Sequence, residues 1–194
     1  ITSIGVYLQW MDAMICLAVP PKTLTWEQAQ EMVKPLPEVM LFRTEKEMLN
    51  TFLDVIEDAD ILTGWNSEGY DIPYTVNRII RTMGKTETRR LCLYQKLPKE
   101  RRYEKYGKET SSYDLVGRVH LDYMQLYRKF TFVMQESYRL DHIAHVELGE
   151  RKLNYAEHDS LFDLYKHDWE KFIDYNIQDT VLVKRLDEKL KLID

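Results

Sequence analysis

Apolar residues fall in short runs separated by turn-forming or helical stretches. Ile1–Gln9 and Ala13–Val19 are β-rich, and the Trp10-Met11-Asp12 step between them predicts a hairpin. Pro20-Pro21 ends the second run. Thr25 with Gln28, and Thr44 with Glu47, have capping-box spacing and predict two helices. The first stops near Pro35, and the second places Met48, Phe52, Val55 and Ile56 on one face. Val39–Phe42 and Ala59–Trp65 predict strands. Asp71-Ile72-Pro73 opens a helix that Gly84 closes, with proline in the first turn where its missing N–H is harmless. Val116–Leu121 predicts a strand leading into a helix over 122–130. Ser137–Leu148 predicts a helix stopped by Gly149, and a last helix is expected from Asp168 to Ile193. Strands alternating with helices predict an α/β fold.

Composition narrows the class. The 194 residues suit one domain, and 44% apolar with 30% charged residues is a globular balance. No apolar run is long enough for a membrane-spanning helix, and no basic-then-apolar leader is present. Cys16 and Cys92 are too few for a disulfide scaffold or a zinc knuckle, which points to a reducing compartment. The chain enters strand-like sequence directly at Ile1, as expected of a segment of a longer polypeptide. Net charge is −5, but residues 81–108 hold ten Lys or Arg against three acids. A basic segment with interleaved Tyr94, Tyr103 and Tyr106, on an otherwise acidic chain, suits either a phosphate backbone or a solvated loop.

One acid sits where apolar residues are expected. At 100° per residue, Asp179 lies within about 20° of Phe172, on the stripe shared by Val183, Leu186 and Leu190. A carboxylate there requires a cation, an arginine, backbone donors or a raised pKa. Tyr175, one turn earlier, sets a phenol beside it, a pair suited to holding a metal and a water. Tyr155 and Asp159 repeat the spacing, but in a polar stretch. A second acid, Asp71, follows a strand end through Asn66-Ser67-Glu68-Gly69-Tyr70, where α/β folds place ligands. Asp71 would serve equally as a helix cap, and Asn66 as a turn residue.

Asn66-x-x-x-Tyr70-Asp71 together with Tyr175-x-x-x-Asp179 resembles the second and third exonuclease motifs of family B DNA polymerases. The string from Leu62 to Tyr74, Asn77-Arg78-Ile79, Leu121-Asp122-Tyr123 and Leu126–Phe130 extend the likeness, which is greatest to T-even-type bacteriophage enzymes. The resemblance implies a ribonuclease H-like exonuclease fold, a mixed sheet flanked by helices, in a single domain over 1–194. It also implies a basic hairpin at about 85–112 and 3'→5' proofreading of DNA. It makes Asp71 and Asp179 ligands of two Mg2+ or Mn2+ ions, with Tyr175 orienting the attacking water. Asn66 would contact the 3'-terminal nucleotide, and Tyr70, Lys96, Lys99, Arg101 and Arg102 would bind the DNA. The remainder of a polymerase chain and a cytoplasmic site, the host's if viral, follow from the same likeness.

The family's first motif, Asp-x-Glu on the first, central strand, has one match here, Asp168-Trp169-Glu170 in the last helix. The central strand and two metal ligands are therefore expected to be missing from these residues, leaving them nearly inactive. Rival readings are a non-catalytic single-strand-binding module using 94–108, and a Glu-x-Lys nuclease using Glu150-Arg151-Lys152. A third is an assembly surface built on Trp10, Trp26, Trp65 and Trp169. His142 and His145 lack a third ligand nearby and read as a solvated or core-edge pair.

Overall fold

The computed structural model describes residues 1–105 and 107–193, so Tyr106 and Asp194 lie outside the described residues. They form two compact units, Ile1–Met48 with Glu136–Asp194, and Leu49–Gln135.

The first unit begins with the expected hairpin. β1 (Ser3–Leu8) pairs antiparallel with β2 (Ala13–Ala18), Ser3 opposite Ala18 and Leu8 opposite Ala13. Asp12 turns the chain at φ 48°, its carboxylate accepting from Tyr7 (2.6 Å) and Lys184 (3.0 Å). α1 (Trp26–Val33) starts at a complete Thr25–Gln28 capping box and leads to β3 (Val39–Leu41), parallel to β2. The Thr44–Glu47 box likewise starts α2 (Glu45–Val55), which runs into the second unit. After 136, α5 (Leu140–Leu148) ends at Gly149 (φ 72°), α6 (Leu161–His167) follows, and α7 (Trp169–Leu190) is capped by Asp168. α7 packs on β1 and β2. It comes so close that a Cβ on Gly5 would collide with Thr180 Oγ1 and crowd the Asn176 carbonyl. Cys16, Ala18, Ala29, Leu164, Trp169, Phe172 and Ile173 form the core between sheet and helices.

In the second unit β4 (Ile61–Gly64) and β7 (Val119–Asp122) are parallel, with Gly64 opposite Asp122. α3 (Asp71–Thr82) follows β4, and α4 (Tyr123–Phe130) follows β7. Between them a 3-10 helix (Lys85–Leu91) leads to the hairpin of β5 (Lys99–Lys105) and β6 (Lys108–Asp114). The Arg118 guanidinium is buried and donates to the carbonyls of Ile56 (2.7 Å) and Glu57 (3.0 Å), just past the end of α2. Trp65 packs on Tyr123 and Tyr127.

The mixed parallel and antiparallel sheets with flanking helices agree with the α/β expectation. Several boundaries differ. The strand expected at 116–121 begins at Val119, because Gly117 (φ 84°) and a turn from Leu115 to Arg118 occupy its start. The helix expected from Ser137 begins at Leu140. The 3-10 helix and α6 were not expected, since neither shows a clean period of apolar positions. Trp169 is in the core, whereas Trp10 is 57% exposed on the hairpin turn. Both thiols are buried, and burial pushes Cys16 up to about 12 and Cys92 up as well. No helix among the described residues is long and apolar enough to cross a membrane.

Candidate active site

Asp179 lies on the inner side of α7, 26% exposed as a side chain. The sequence offers an arginine as its partner if no metal is present, but the structure supplies a lysine. Lys152 Nζ lies 2.5 Å from Asp179 Oδ2, 3.1 Å from the Tyr175 hydroxyl and over the Tyr175 ring. Among the described residues, the buried Asp179 Oδ1 accepts no hydrogen bond. Burial raises the Asp179 carboxyl, and the Lys152 charge offsets this only in part. Burial opposes charge on Lys152 too, but the attraction of Asp179 and the hydrogen bonds outweigh it, so the ammonium is held above its ordinary value. Tyr175 is raised by burial and by Asp179, so it remains a phenol at neutral pH.

The loop that delivers Lys152 is tied down on both sides. Asp141, in the first turn of α5, accepts from the Lys152 backbone N–H (2.9 Å) and pairs with Arg151 (3.0 Å). Gln178 donates to the Arg151 carbonyl (2.9 Å). Tyr155, three residues on, meets the Tyr175 ring edge-on at 5.4 Å. The three residues of the Glu-x-Lys triplet point to different partners. Glu150 pairs with Arg185 and Arg151 with Asp141, while only Lys152 faces the phenol and carboxylate. His142 and His145 stay on α5, and among the described residues no three His, Cys, Asp or Glu converge as a metal cluster. The orphaned Asp179 Oδ1 is nevertheless the kind of buried oxygen a divalent cation satisfies.

The other predicted acid belongs to the second unit. Asn66 stands at φ 58°, and its carbonyl accepts from Gly69 (3.2 Å) and Tyr70 (3.1 Å). The Ser67 carbonyl accepts from Ile72 (2.9 Å), which closes the turn into α3. Asp71 is the first residue of that helix, one past the cap position held by Tyr70. Tyr70 is 61% exposed and stacks flat on Tyr74 at 5.7 Å.

Of the predicted basic residues, Lys96 and Lys99 are exposed. Arg101 reaches from the hairpin to Glu68 of the Asn66–Asp71 turn (3.7 Å) and to Asp114 (2.5 Å). Arg102 pairs with Glu100 and Glu109. Two of the four are therefore paired locally with acids, an arrangement invisible in a charge count because Glu68, Glu109 and Asp114 lie on other segments of the chain. Tyr94 and Tyr103 are exposed, and Tyr106 lies outside the described residues.

The family model described as DNA polymerase family B, exonuclease domain, matches residues 16–143, most of the chain. The chain belongs to DNA polymerase family B. It is 37% identical to the DNA-directed DNA polymerase of Escherichia phage RB69 and 31% identical to that of Enterobacteria phage T4. Each match runs over 157 residues, 80% of this chain and 17% of the relative. The DNA polymerase delta catalytic subunit of Glycine max is 27% identical over 168 residues, 80% of this chain and 15% of that protein. The chain thus spans about a sixth of the length of the phage polymerases it matches. The family B match contains the Asn66–Asp71 turn and the basic hairpin, and it ends before Lys152, Tyr175 and Asp179.

Proposed function

We propose that these residues form a 3'→5' proofreading exonuclease domain of ribonuclease H-like fold, 1–194 acting as one functional domain. Its substrate would be the 3' end of single-stranded or frayed DNA. One observation carries the reading: a phenol and a buried carboxylate oxygen on α7, the oxygen without a donor among the described residues, meet the ammonium of Lys152, in a member of a family whose model is an exonuclease domain. Asp71 and Asp179 would hold Mg2+ or Mn2+, which would supply Lewis-acid activation of water and charge stabilisation at the leaving 3'-oxygen. The chain's own groups do the rest. The protonated Tyr175 positions the water by its hydroxyl. The Lys152 ammonium fixes that hydroxyl and offers positive charge to the phosphate as its charge rises. Asn66 and Tyr70 hold the terminal nucleotide, the tyrosine by stacking. Lys96 and Lys99 guide the strand, joined by Arg101 and Arg102 where a phosphate displaces their acid partners. Water attacks phosphorus, the P–O3' bond breaks, and a nucleoside monophosphate leaves with a new 3'-hydroxyl behind it.

The test is digestion of a 3'-labelled single-stranded oligodeoxynucleotide with Mg2+ by the full-length protein. D71A and D179A should each slow digestion at least about a hundredfold, and the double variant little further, because both act on one step. Robust Mg2+-dependent digestion by D71A would sink the assignment. Residues 1–194 alone should digest slowly, since their sole Asp-x-Glu caps α7 at Asp168 instead of lying on a strand. The exposed Tyr94 and Tyr103 beside Lys96 and Lys99 favour a second reading, a non-catalytic single-strand grip. Binding that persists in EDTA, with no digestion by the full-length protein, would select it.

A further inference from the structure

Asp122 is 7% exposed, and its carboxylate is hydrogen-bonded from two directions. Oδ1 accepts from the backbone N–H groups of Met124 (3.0 Å) and Gln125 (3.4 Å), which is ordinary capping of α4. The same oxygen also accepts from Asn66 N–H (3.1 Å), and Oδ2 accepts from Glu68 N–H (3.1 Å). A helix cap needs neither of the last two. They reach across the β4–β7 pair to the turn that carries Asn66, Tyr70 and Asp71. Asn66 is held at positive φ there, a backbone state that must be secured by its surroundings.

The hold propagates along the turn. With the Asn66 and Glu68 N–H groups fixed, the Asn66 carbonyl faces Tyr70 N–H and the Ser67 carbonyl faces Ile72 N–H. These bonds flank Asp71 on both sides. Ser67 adds a tie of its own, its hydroxyl 3.0 Å from the Gly64 carbonyl and 2.9 Å from His120 Nε2 on β7.

We propose that Asp122 is a positioning residue for the exonuclease reaction, holding the Asn66–Asp71 turn in the shape that presents Asn66 and Asp71. The proposal rests on the exonuclease reading above and assigns Asp122 no contact with substrate or metal.

The full-length wild type is compared with D122S and D122A. Serine caps a helix about as well as aspartate but is too short to serve the turn as well. Three quantities are read: melting temperature, hydrogen exchange of the peptide 64–72, and kcat and KM for 3'-end digestion. D122S should recover most of the melting temperature lost in D122A. In both variants exchange over 64–72 should quicken, and kcat fall, by about tenfold or more. If D122S does not fold, D122N replaces it; its Oδ1 keeps the α4 cap while its NH2 group opposes Glu68 N–H, and the same exchange and rate changes are expected. Slow exchange, or wild-type kcat, in a variant with the cap intact would make Asp122 a helix cap alone and overturn the proposal. Absence of digestion by the wild type would sink the exonuclease reading, and exchange would still decide whether Asp122 holds the turn.

Discussion

Replacing Lys152 by methionine keeps the stem and removes the charge. Lys152 and Asp179 are 24% and 26% exposed as side chains, with 2.5 Å between Nζ and Oδ2, so the pair is far from fully solvated. Coulomb attraction at an effective dielectric of about 20 and about 3 Å is roughly 5 kcal/mol, before the opposing desolvation is counted. Breaking such a pair from one side leaves an unpaired, largely buried carboxylate and destabilises by about 3 kcal/mol. For a chain of this size that lowers the melting temperature by about 6–12 °C. Asp179, already raised by burial, rises further without Lys152. The deficit of K152M is therefore fully present above that raised pKa and fades as pH falls through it, because the protonated carboxyl no longer needs the ammonium. At the alkaline end, Lys152 is held above its ordinary value, so its stabilisation of the wild type is present below that value and is lost as pH rises through the folded pKa. Thermal unfolding of wild type, K152M, D179N and the double variant, from pH 5 to pH 8, measures the coupling. About 2 kcal/mol is expected at pH 8. A coupling below about 0.5 kcal/mol, or a K152M deficit that grows toward acid pH, would refute the reasoning.

Asp141→Ala removes the acceptor for Lys152 N–H and the partner of Arg151, so digestion by the full-length protein should slow about tenfold, while D141N keeps the acceptor and most of the rate. Equal loss in both variants would show that the Arg151 pair, not the backbone anchor, matters. Gly5→Ala drives a methyl into Thr180 and should destabilise by about 2 kcal/mol, with partial recovery in the G5A/T180A double variant, measured by urea unfolding.

Much of the fold was legible because its signals are local. Both capping boxes formed, the Asp12 turn joined the first two strands, and the stripe on α7 buried Phe172 and Leu186. The site was legible only where chemistry disagreed with pattern, as at Asp179. Lys152, Asp122 and Asp141 carried no such disagreement. Lys152 lies in a polar, aperiodic loop after Gly149, and its orientation depends on Asp141 and Gln178, 11 and 26 positions away. Asp122 reads as the entry to a helix and does cap α4; its second pair of donors lies on a loop more than fifty residues earlier. Long-range hydrogen bonds leave no period in the sequence. The predicted basic stretch showed the converse, since Arg101 and Arg102 turned to cross-strand and loop acids.

The two cysteines divide between the two units, Cys16 on β2 and Cys92 just after the 3-10 helix, and both are buried. Each unit thus contains a native reporter that a thiol reagent meets only when that unit opens. Labelling followed by peptide mapping would time the two openings separately, without an introduced probe, and would tell whether the halves of this chain melt together or in turn.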